Sequence, residues 1–201
     1  MTEGPVLQPR IVLASGSRYR RELLERLGLD AMTYAPNIDE SIYPGENTEG
    51  YVRRLAIEKA TRAIDSGASQ ADLFIGSDQS AHLDGEPLMK PGNFARTVTQ
   101  LERASGRQIT FWTSIAVLSA DRGFRRVDAI PTVVRFRILT RPEIERYVAS
   151  EKPFDCAGGF KAEGLGIALF ESLESEDPTA LIGLPLIRLS QRLREFGLQI
   201  P

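Results

Sequence analysis

Apolar residues come first as a short run, Ile11 to Ala14, and then at helical spacing at Tyr19, Leu23, Leu24 and Leu27. The run is long enough for a buried strand and too short for a helix. The pattern therefore predicts a strand, a Ser15-Gly16-Ser17 turn, and a helix that Ser17 caps and Gly28 stops. Ala31 to Ala35 reads as a weak strand ended by Pro36, and Asn37 to Ser41 as a polar loop with adjacent Asp39 and Glu40. A second helix is expected from Asn47 or Thr48 to about Ser66, with Val52, Leu55 and Ala63 on its apolar face. Lys59 falls on that same stripe. Such a lysine either snorkels to solvent, the reading the residue alone favours, or points into a cleft.

Leu73 to Gly76 reads as a buried strand ending in Ser77-Asp78-Gln79. An aspartate at a strand end is a common place for chemistry in α/β proteins, and equally a cap for the next turn. Ser80 to Leu83 then alternates, and Asp84-Gly85 predicts a hairpin whose return passes Lys90-Pro91-Gly92. A helix follows from Asn93 to Ser105, stopped by Gly106. Gln108 to Ala120 and Phe124 to Leu139 are long β segments, the second with Pro131 predicting a bulge or an edge. Thr140 caps a helix to about Ser150, with Pro142 near its start and Glu143 completing a capping box.

The loop from Cys156 to Gly166 sets Lys161 and Glu163 among glycines. It is either a close backbone approach to a ligand or a flexible surface loop. Ile167 to Leu173 is expected as a strand, Pro178 to Pro185 as a turn, and Leu186 to Phe196 as a last helix ended by Gly197. Strands and helices alternate, with consecutive strands in the middle. That order predicts a mixed α/β fold with a partly antiparallel sheet flanked by helices.

The chain has 201 residues, which suits one domain over 1–201, with room for two lobes and with 1–9 as a flexible extension. Its formal net charge of -2 gives no general affinity for nucleic acid or for a membrane surface. No run approaches a transmembrane span, and the first residues lack a signal core, so a cytoplasmic protein is expected. The single Cys156 fits a reducing compartment and reads as a buried small residue rather than a nucleophile. The single His82 excludes zinc sites built on several His or Cys ligands. Catalysis is left to carboxylates, lysines and arginines, with a hard, oxygen-bound metal if any metal is used.

The first turn carries the clearest candidate chemistry. Free N–H groups of a helix N-terminus favour an anion, and Arg18, Arg20 and Arg21 add cations there. Exposed cations at that end oppose the helix dipole by ~0.3–1 kcal/mol each, a cost that a bound anion would offset. The other reading is a solvated basic patch on an ordinary helix.

Leu13-Ala14-Ser15-Gly16-Ser17 with Arg20-Arg21-Glu22-Leu23-Leu24 resembles the opening signature of the Maf family of nucleoside triphosphate pyrophosphatases. Ile38-Asp39-Glu40, Leu55-Ala56-Ile57-Glu58-Lys59-Ala60, Gly76-Ser77-Asp78-Gln79, Lys90-Pro91, Gly106 with Thr110-Phe111, and Ile182-Gly183-Leu184-Pro185 follow in the family's order. The ordered set covers about residues 10 to 197. Gly76-Ser77-Asp78-Gln79 and Ala157 to Gly164 are similar to the branch acting on 7-methyl-GTP. The dTTP and UTP branch typically has Thr after the aspartate and Gln where Glu163 stands. Two positions depart from the usual pattern: Arg18, where the family generally has Pro, and Tyr19, where the methyl-GTP branch can have Trp.

The resemblance implies a nucleotide cleft between two lobes and hydrolysis of a nucleoside triphosphate to the monophosphate and pyrophosphate. It implies phosphate contacts from Ser15, Arg20, Lys59 and Lys90, and a divalent cation, Mg²⁺ or Mn²⁺, on Glu40 and Asp78. Asp78 is the candidate base, and Tyr19, Gln79 and Glu163 are the candidate base-reading residues. A homodimer is compatible with the resemblance. The alternatives are a dTTP/UTP pyrophosphatase of the same family and a non-enzymatic nucleotide-binding regulator of septum formation.

Overall fold

The computed structural model describes residues 9–67 and 73–200. The extension expected at 1–9 lies, but for Pro9, outside the described residues. The chain folds as β1 (Ile11–Ala14), α1 (Arg18–Glu25), β2 (Ala31–Thr33), α2 (Thr48–Asp65), β3 (Leu73–Leu83), β4 (Glu86–Pro87), α3 (Phe94–Ala104), β5 (Gln108–Ser119), β6 (Phe124–Phe136), α4 (Arg141–Glu151), β7 (Phe170–Ser175) and α5 (Leu186–Phe196). Short 3-10 segments occupy Ala157–Gly159, Leu165–Leu169 and Pro178–Ile182. The strands make one mixed sheet in the order β2-β1-β3-β5-β6-β7, with β4 on β3. β1 pairs parallel with β2 and β3, while β3–β4 and β6–β7 are antiparallel. The mixed α/β expectation is met. No helix among the described residues is long and apolar enough to cross a membrane.

The chain divides into two compact units. The first comprises the described residues of Met1–Asp78, Ser114–Ala129 and Gly183–Pro201; the second is Gln79–Thr113 with Ile130–Ile182. In the first unit Ala56, Ala60 and Ala63 of α2 pack on Val12, Ala14, Phe74, Ala116 and Leu118. Leu55, on the same helix, is fully buried, a burial that contributes ~1.5–3 kcal/mol. Small side chains bring α2 close to the strands. At Gly76 a Cβ would stand 2.0 Å from the Ala56 carbonyl oxygen and 3.0 Å from the Ala60 nitrogen, so only glycine fits there.

The second unit has its own core. Ala81, Leu83, Ile109, Phe111, Val134 and Phe136 of the strands meet Val98, Leu101, Ile144 and Val148 of the helices. Phe111, Phe136, Phe160 and Phe170 stack edge to face, with centroids 5.0–5.5 Å apart. Such aromatic pairs add ~0.5–1.5 kcal/mol each beyond their burial.

Local signals place most boundaries. Asn47 and Asn93 cap α2 and α3 by accepting from Gly50 N–H at 2.7 Å and Arg96 N–H at 3.0 Å. Asp84 and Gly85 both adopt positive φ in the tight hairpin. Three expectations need correction. The stretches expected at Leu73–Gly76 and Ser80–Leu83 are one continuous strand, β3, that runs through Ser77-Asp78-Gln79. The strand expected at Ile167 begins at Phe170, since Leu165–Leu169 forms a 3-10 turn. The β6–β7 ladder has an irregularity at Arg135/Phe136. Cys156 is half-buried, with its Sγ 3.6 Å from Asp155 Oδ1.

Gly76→Ala is expected to lower the urea midpoint strongly, in line with the ~1–3 kcal/mol or more of an overpacked core. Gly28→Asn, at a left-handed position with open space around it, should lower it far less. Equal midpoints for the two variants would refute the close helix–strand contact.

A second expectation concerns α4. The Glu143 carboxylate accepts from the Thr140 hydroxyl at 2.7 Å, from the Thr140 N–H at 2.8 Å and from Arg137 Nη1 at 2.9 Å. These bonds, the Thr140 hydroxyl first, hold its pKa down at about 2. A carboxylate depressed in the folded state stabilises above its unfolded pKa and loses that contribution as pH falls toward 2. Thermal melts of Glu143→Gln and wild type should therefore differ at neutral pH and converge between about pH 4.5 and 2. A gap that stays constant over that window would contradict the assignment.

Candidate active site

β1 delivers the chain to Ser15, which is buried. The Ser15 hydroxyl oxygen accepts from the Ser17 N–H at 3.1 Å and from Arg20 Nη1 at 3.2 Å. Ser17 caps α1 as expected, its hydroxyl accepting from the Arg20 N–H at 3.4 Å. Arg20 Nε donates to the Gly183 carbonyl at 2.9 Å, and the Ser77 hydroxyl donates to the same oxygen at 3.0 Å. Burial pushes the Arg20 guanidinium below its ordinary pKa, while the Asp78 and Glu40 carboxylates oppose that shift. A guanidinium stays charged at neutral pH regardless.

Lys59 does not snorkel. Its side chain is 11% exposed, and its ammonium donates to Asp78 Oδ1 at 2.6 Å and lies 2.8 Å from Glu40 Oε1. Two carboxylates compensate the buried charge, which an apolar stripe alone could not do. Asp78 sits within β3, not at its end, and is buried. Its N–H donates to Ser114 Oγ at 3.3 Å, and that hydroxyl donates to the Val52 carbonyl at 2.6 Å. Burial raises the Asp78 pKa; Lys59 and Arg20 work against that rise, and Glu40 adds to it. Glu40 reaches Lys59 from the loop before α2 with its side chain 58% exposed.

Ser15, Arg20, Glu40, Lys59 and Asp78 are thus joined in the first unit through hydrogen bonds, ion pairs and longer-range charge interactions. Tyr19 belongs to the same unit and is not a core residue. It is half-buried, and the Arg18 guanidinium lies 4.7 Å from its ring centroid. Gln79, Lys90 and Glu163 belong to the second unit. There Gln79 Nε2 donates to Thr113 Oγ1 at 2.9 Å and to the Ala180 and Leu181 carbonyls at 2.9 and 3.1 Å. Lys90 and Glu163 are exposed in separate loops. The Glu163 loop is tied down by Glu151, which accepts from the Leu165 N–H at 2.8 Å, and by Lys161 Nζ, which donates to the Glu151 carbonyl at 2.9 Å.

The donors fit a hard divalent cation. Glu40 and Asp78 converge on one cationic atom and offer only oxygen. Among the described residues no group of three or more His, Cys, Asp or Glu gathers as a cage. Mg²⁺ and Mn²⁺ suit such a sparse set, since Mg²⁺ in particular is usually held by one or two carboxylates together with substrate phosphates.

Sequence reasoning missed Ser77, Gly183, Tyr51 and Arg54. The Arg54–Glu58 spacing along one helix face is a visible signal, but it reads as an ordinary surface pair. The others carry no local signal, because their partners lie far along the chain.

The family model described as Maf-like protein matches residues 10–196. A protein of Pseudomonas savastanoi pv. phaseolicola named 7-methyl-GTP pyrophosphatase is 50% identical over 96% of this chain and all of its own length. One of the same name from Pseudomonas aeruginosa matches equally, at 50% identity over 96% of this chain and 100% of that one. The Staphylococcus aureus Ham1 protein shows a weaker structural likeness, with 17% identity and a TM-score of 0.45 over 63% of this chain and 71% of that one, and the assignment does not rest on it. With the family model matching residues 10–196 and relatives half identical over 96% of its length, this chain belongs to the Maf family.

Proposed function

We propose that this chain is a nucleoside triphosphate pyrophosphatase that converts 7-methyl-GTP to 7-methyl-GMP and pyrophosphate. The observation that carries the reading is the pairing of Lys59 with both Glu40 and Asp78, in the same unit as the anchored Arg20. The relatives' shared name supplies the substrate.

Phosphoryl chemistry of this kind needs positioning and charge neutralisation more than covalent participation. Arg20, held by Gly183 through Nε and by Ser15 through Nη1, is assigned to phosphate oxygens as a fixed cation. Ser15 and the N–H groups of the first turn of α1 add neutral donors. Lys59 and Lys90 add point charges to the triphosphate. Glu40 and Asp78 would hold Mg²⁺ or Mn²⁺, which when bound neutralises phosphate charge. Water attacks the α-phosphorus, the bond to the bridging oxygen breaks, and pyrophosphate leaves. Asp78 takes the proton from that water. Its burial supports the role, because desolvation brings a carboxylate nearer the basicity a proton acceptor needs.

Asp78→Asn keeps the shape and removes both the base and a metal ligand. A fall in kcat of ~10²–10⁴-fold is expected with the fold intact, together with loss of activity in excess chelator and recovery on adding Mg²⁺ or Mn²⁺. Near wild-type pyrophosphate release by the variant, or full activity in chelator, would remove Asp78 and the metal from the mechanism.

Base choice is assigned to Tyr19, Gln79 and Glu163. The ring of 7-methylguanine is positively charged, and an aromatic face attracts such a ring by ~0.5–2 kcal/mol. The Tyr19 ring already takes a cation, the Arg18 guanidinium. Glu163 is assigned the N1–H and amino group of the base, a pairing thymine cannot offer. Gln79 commits its amide nitrogen to Thr113 and to the Ala180 and Leu181 carbonyls, so its Oε1 is assigned to the base as an acceptor. Good paired contacts to a base edge discriminate by ~1–3 kcal/mol. Wild-type protein should therefore hydrolyse 7-methyl-GTP with higher kcat/KM than GTP, dTTP or UTP, and Gln79→Thr with Glu163→Gln should shift preference toward pyrimidines. A wild-type preference for dTTP or UTP would overturn the branch assignment and leave the family intact.

A further inference from the structure

Glu40 poses a physical problem. A metal ligand has to be held in place, yet this carboxylate is more than half exposed and sits in a loop without regular structure. Its order comes from the backbone around it. The Tyr51 hydroxyl donates to the Glu40 carbonyl at 2.9 Å. Arg54 Nη2 donates to the carbonyl of the next residue, Ser41, at 2.8 Å. Asp39 Oδ1 spans Glu40 by accepting from the Ser41 N–H at 2.9 Å and the Ser41 hydroxyl at 2.6 Å.

Arg54 is itself locked. Its Nε and Nη2 meet the two oxygens of Glu46 at 2.7 and 2.8 Å, and Nη1 meets Glu58 at 3.2 Å. Its guanidinium carbon lies 3.9 Å from the Tyr43 ring centroid and 5.6 Å from that of Tyr51. Glu46 in turn accepts from the Tyr43 N–H at 3.1 Å, which closes the loop on itself. Tyr51 and Arg54 lie on α2, as does Lys59. One helix thus carries the cation that Glu40 faces and the two side chains that hold its backbone.

We propose that Arg54 and Tyr51 are positioning residues that set the place of the Glu40 carboxylate and so the affinity of the divalent-cation site. The inference rests on the metal reading above and names residues that act through Glu40 rather than on substrate. A lysine could keep the charge of Arg54 but not its planar fork, which contacts Glu46, Glu58 and the Ser41 carbonyl together. Loss of groups that orient metal ligands typically costs 10–100-fold in metal affinity.

The test is Mn²⁺ binding to the full chain, followed by the paramagnetic signal of the free ion, with and without pyrophosphate. Tyr51→Phe and Arg54→Lys are each expected to raise the Kd for Mn²⁺ by about tenfold or more. Arg53→Lys, on the neighbouring position but paired with Glu49 and the Val127 carbonyl, should leave it unchanged. In a Glu40→Gln background, Tyr51→Phe should add no further weakening. Wild-type binding with unaltered Kd in both variants would overturn the inference alone. The same holds if Tyr51→Phe weakens binding equally without Glu40. Failure of wild type to bind Mn²⁺ under either condition would overturn the metal reading and this inference together. Where Arg54→Lys does not fold, as judged by its thermal melt, Tyr51→Phe decides.

Discussion

The ammonium of Lys59, held between Asp78 and Glu40, is the constraint on which the rest of the site depends. A lone buried charge is prohibitive, and a lone buried carboxylate would take up a proton instead. Bringing them together turns two costs into one pair, whose attraction is stronger where water is scarce. That pairing requires α2 to lie close to β3. The small residues Ala56 and Ala60 and the missing side chain of Gly76 provide the close approach. Chemistry and packing therefore share one contact: the glycine that admits the helix lies two residues from the aspartate that meets its lysine.

This arrangement also explains why the exposed partner needs outside support. Asp78 is fixed by the strand and by Ser114, which links it to the carbonyl of Val52 on α2. Glu40 has no strand. Its loop is shaped by Arg54, Glu46 and the two tyrosines, an aromatic and ionic clamp near the surface. Exposed ion pairs are individually weak, but here the guanidinium makes planar contacts to two carboxylates, a carbonyl and a ring at once. The value of the cluster lies in geometry more than in stability.

Much of the fold was legible in the sequence because its signals are local. Asn47, Asn93, the Thr140–Glu143 box and Gly197 mark helix ends with groups that bond within a few residues of themselves. Candidate site residues came from the ordered family motifs, and the first unit brings five of these candidates together. What stayed hidden depends on distant partners. Periodicity placed Lys59 on an apolar stripe but could not show the carboxylates that allow it to stay there. Polar Ser77-Asp78-Gln79 looked like a break between two strands, yet β3 runs straight through them, with Ala81 and Leu83 buried farther on. Arg54 was missed, since its partners Ser41 and Glu46 come from outside its helical register.

Gly183 shows how a motif without chemistry of its own can serve the site. Its φ of +122° lies where side chains are rarely found, so the residue is glycine for reasons of backbone shape. That conformation accompanies a carbonyl oxygen that accepts from both Arg20 Nε and the Ser77 hydroxyl. A carbonyl oxygen has two lone pairs, and these two donors use both. Arg20 is thereby bound through Nε at Gly183 and through Nη1 at Ser15, which fixes its guanidinium plane. A lysine in its place would lack the rigid planar fork that spans both contacts. The late glycine and the early arginine thus form a single device, although 163 residues separate them.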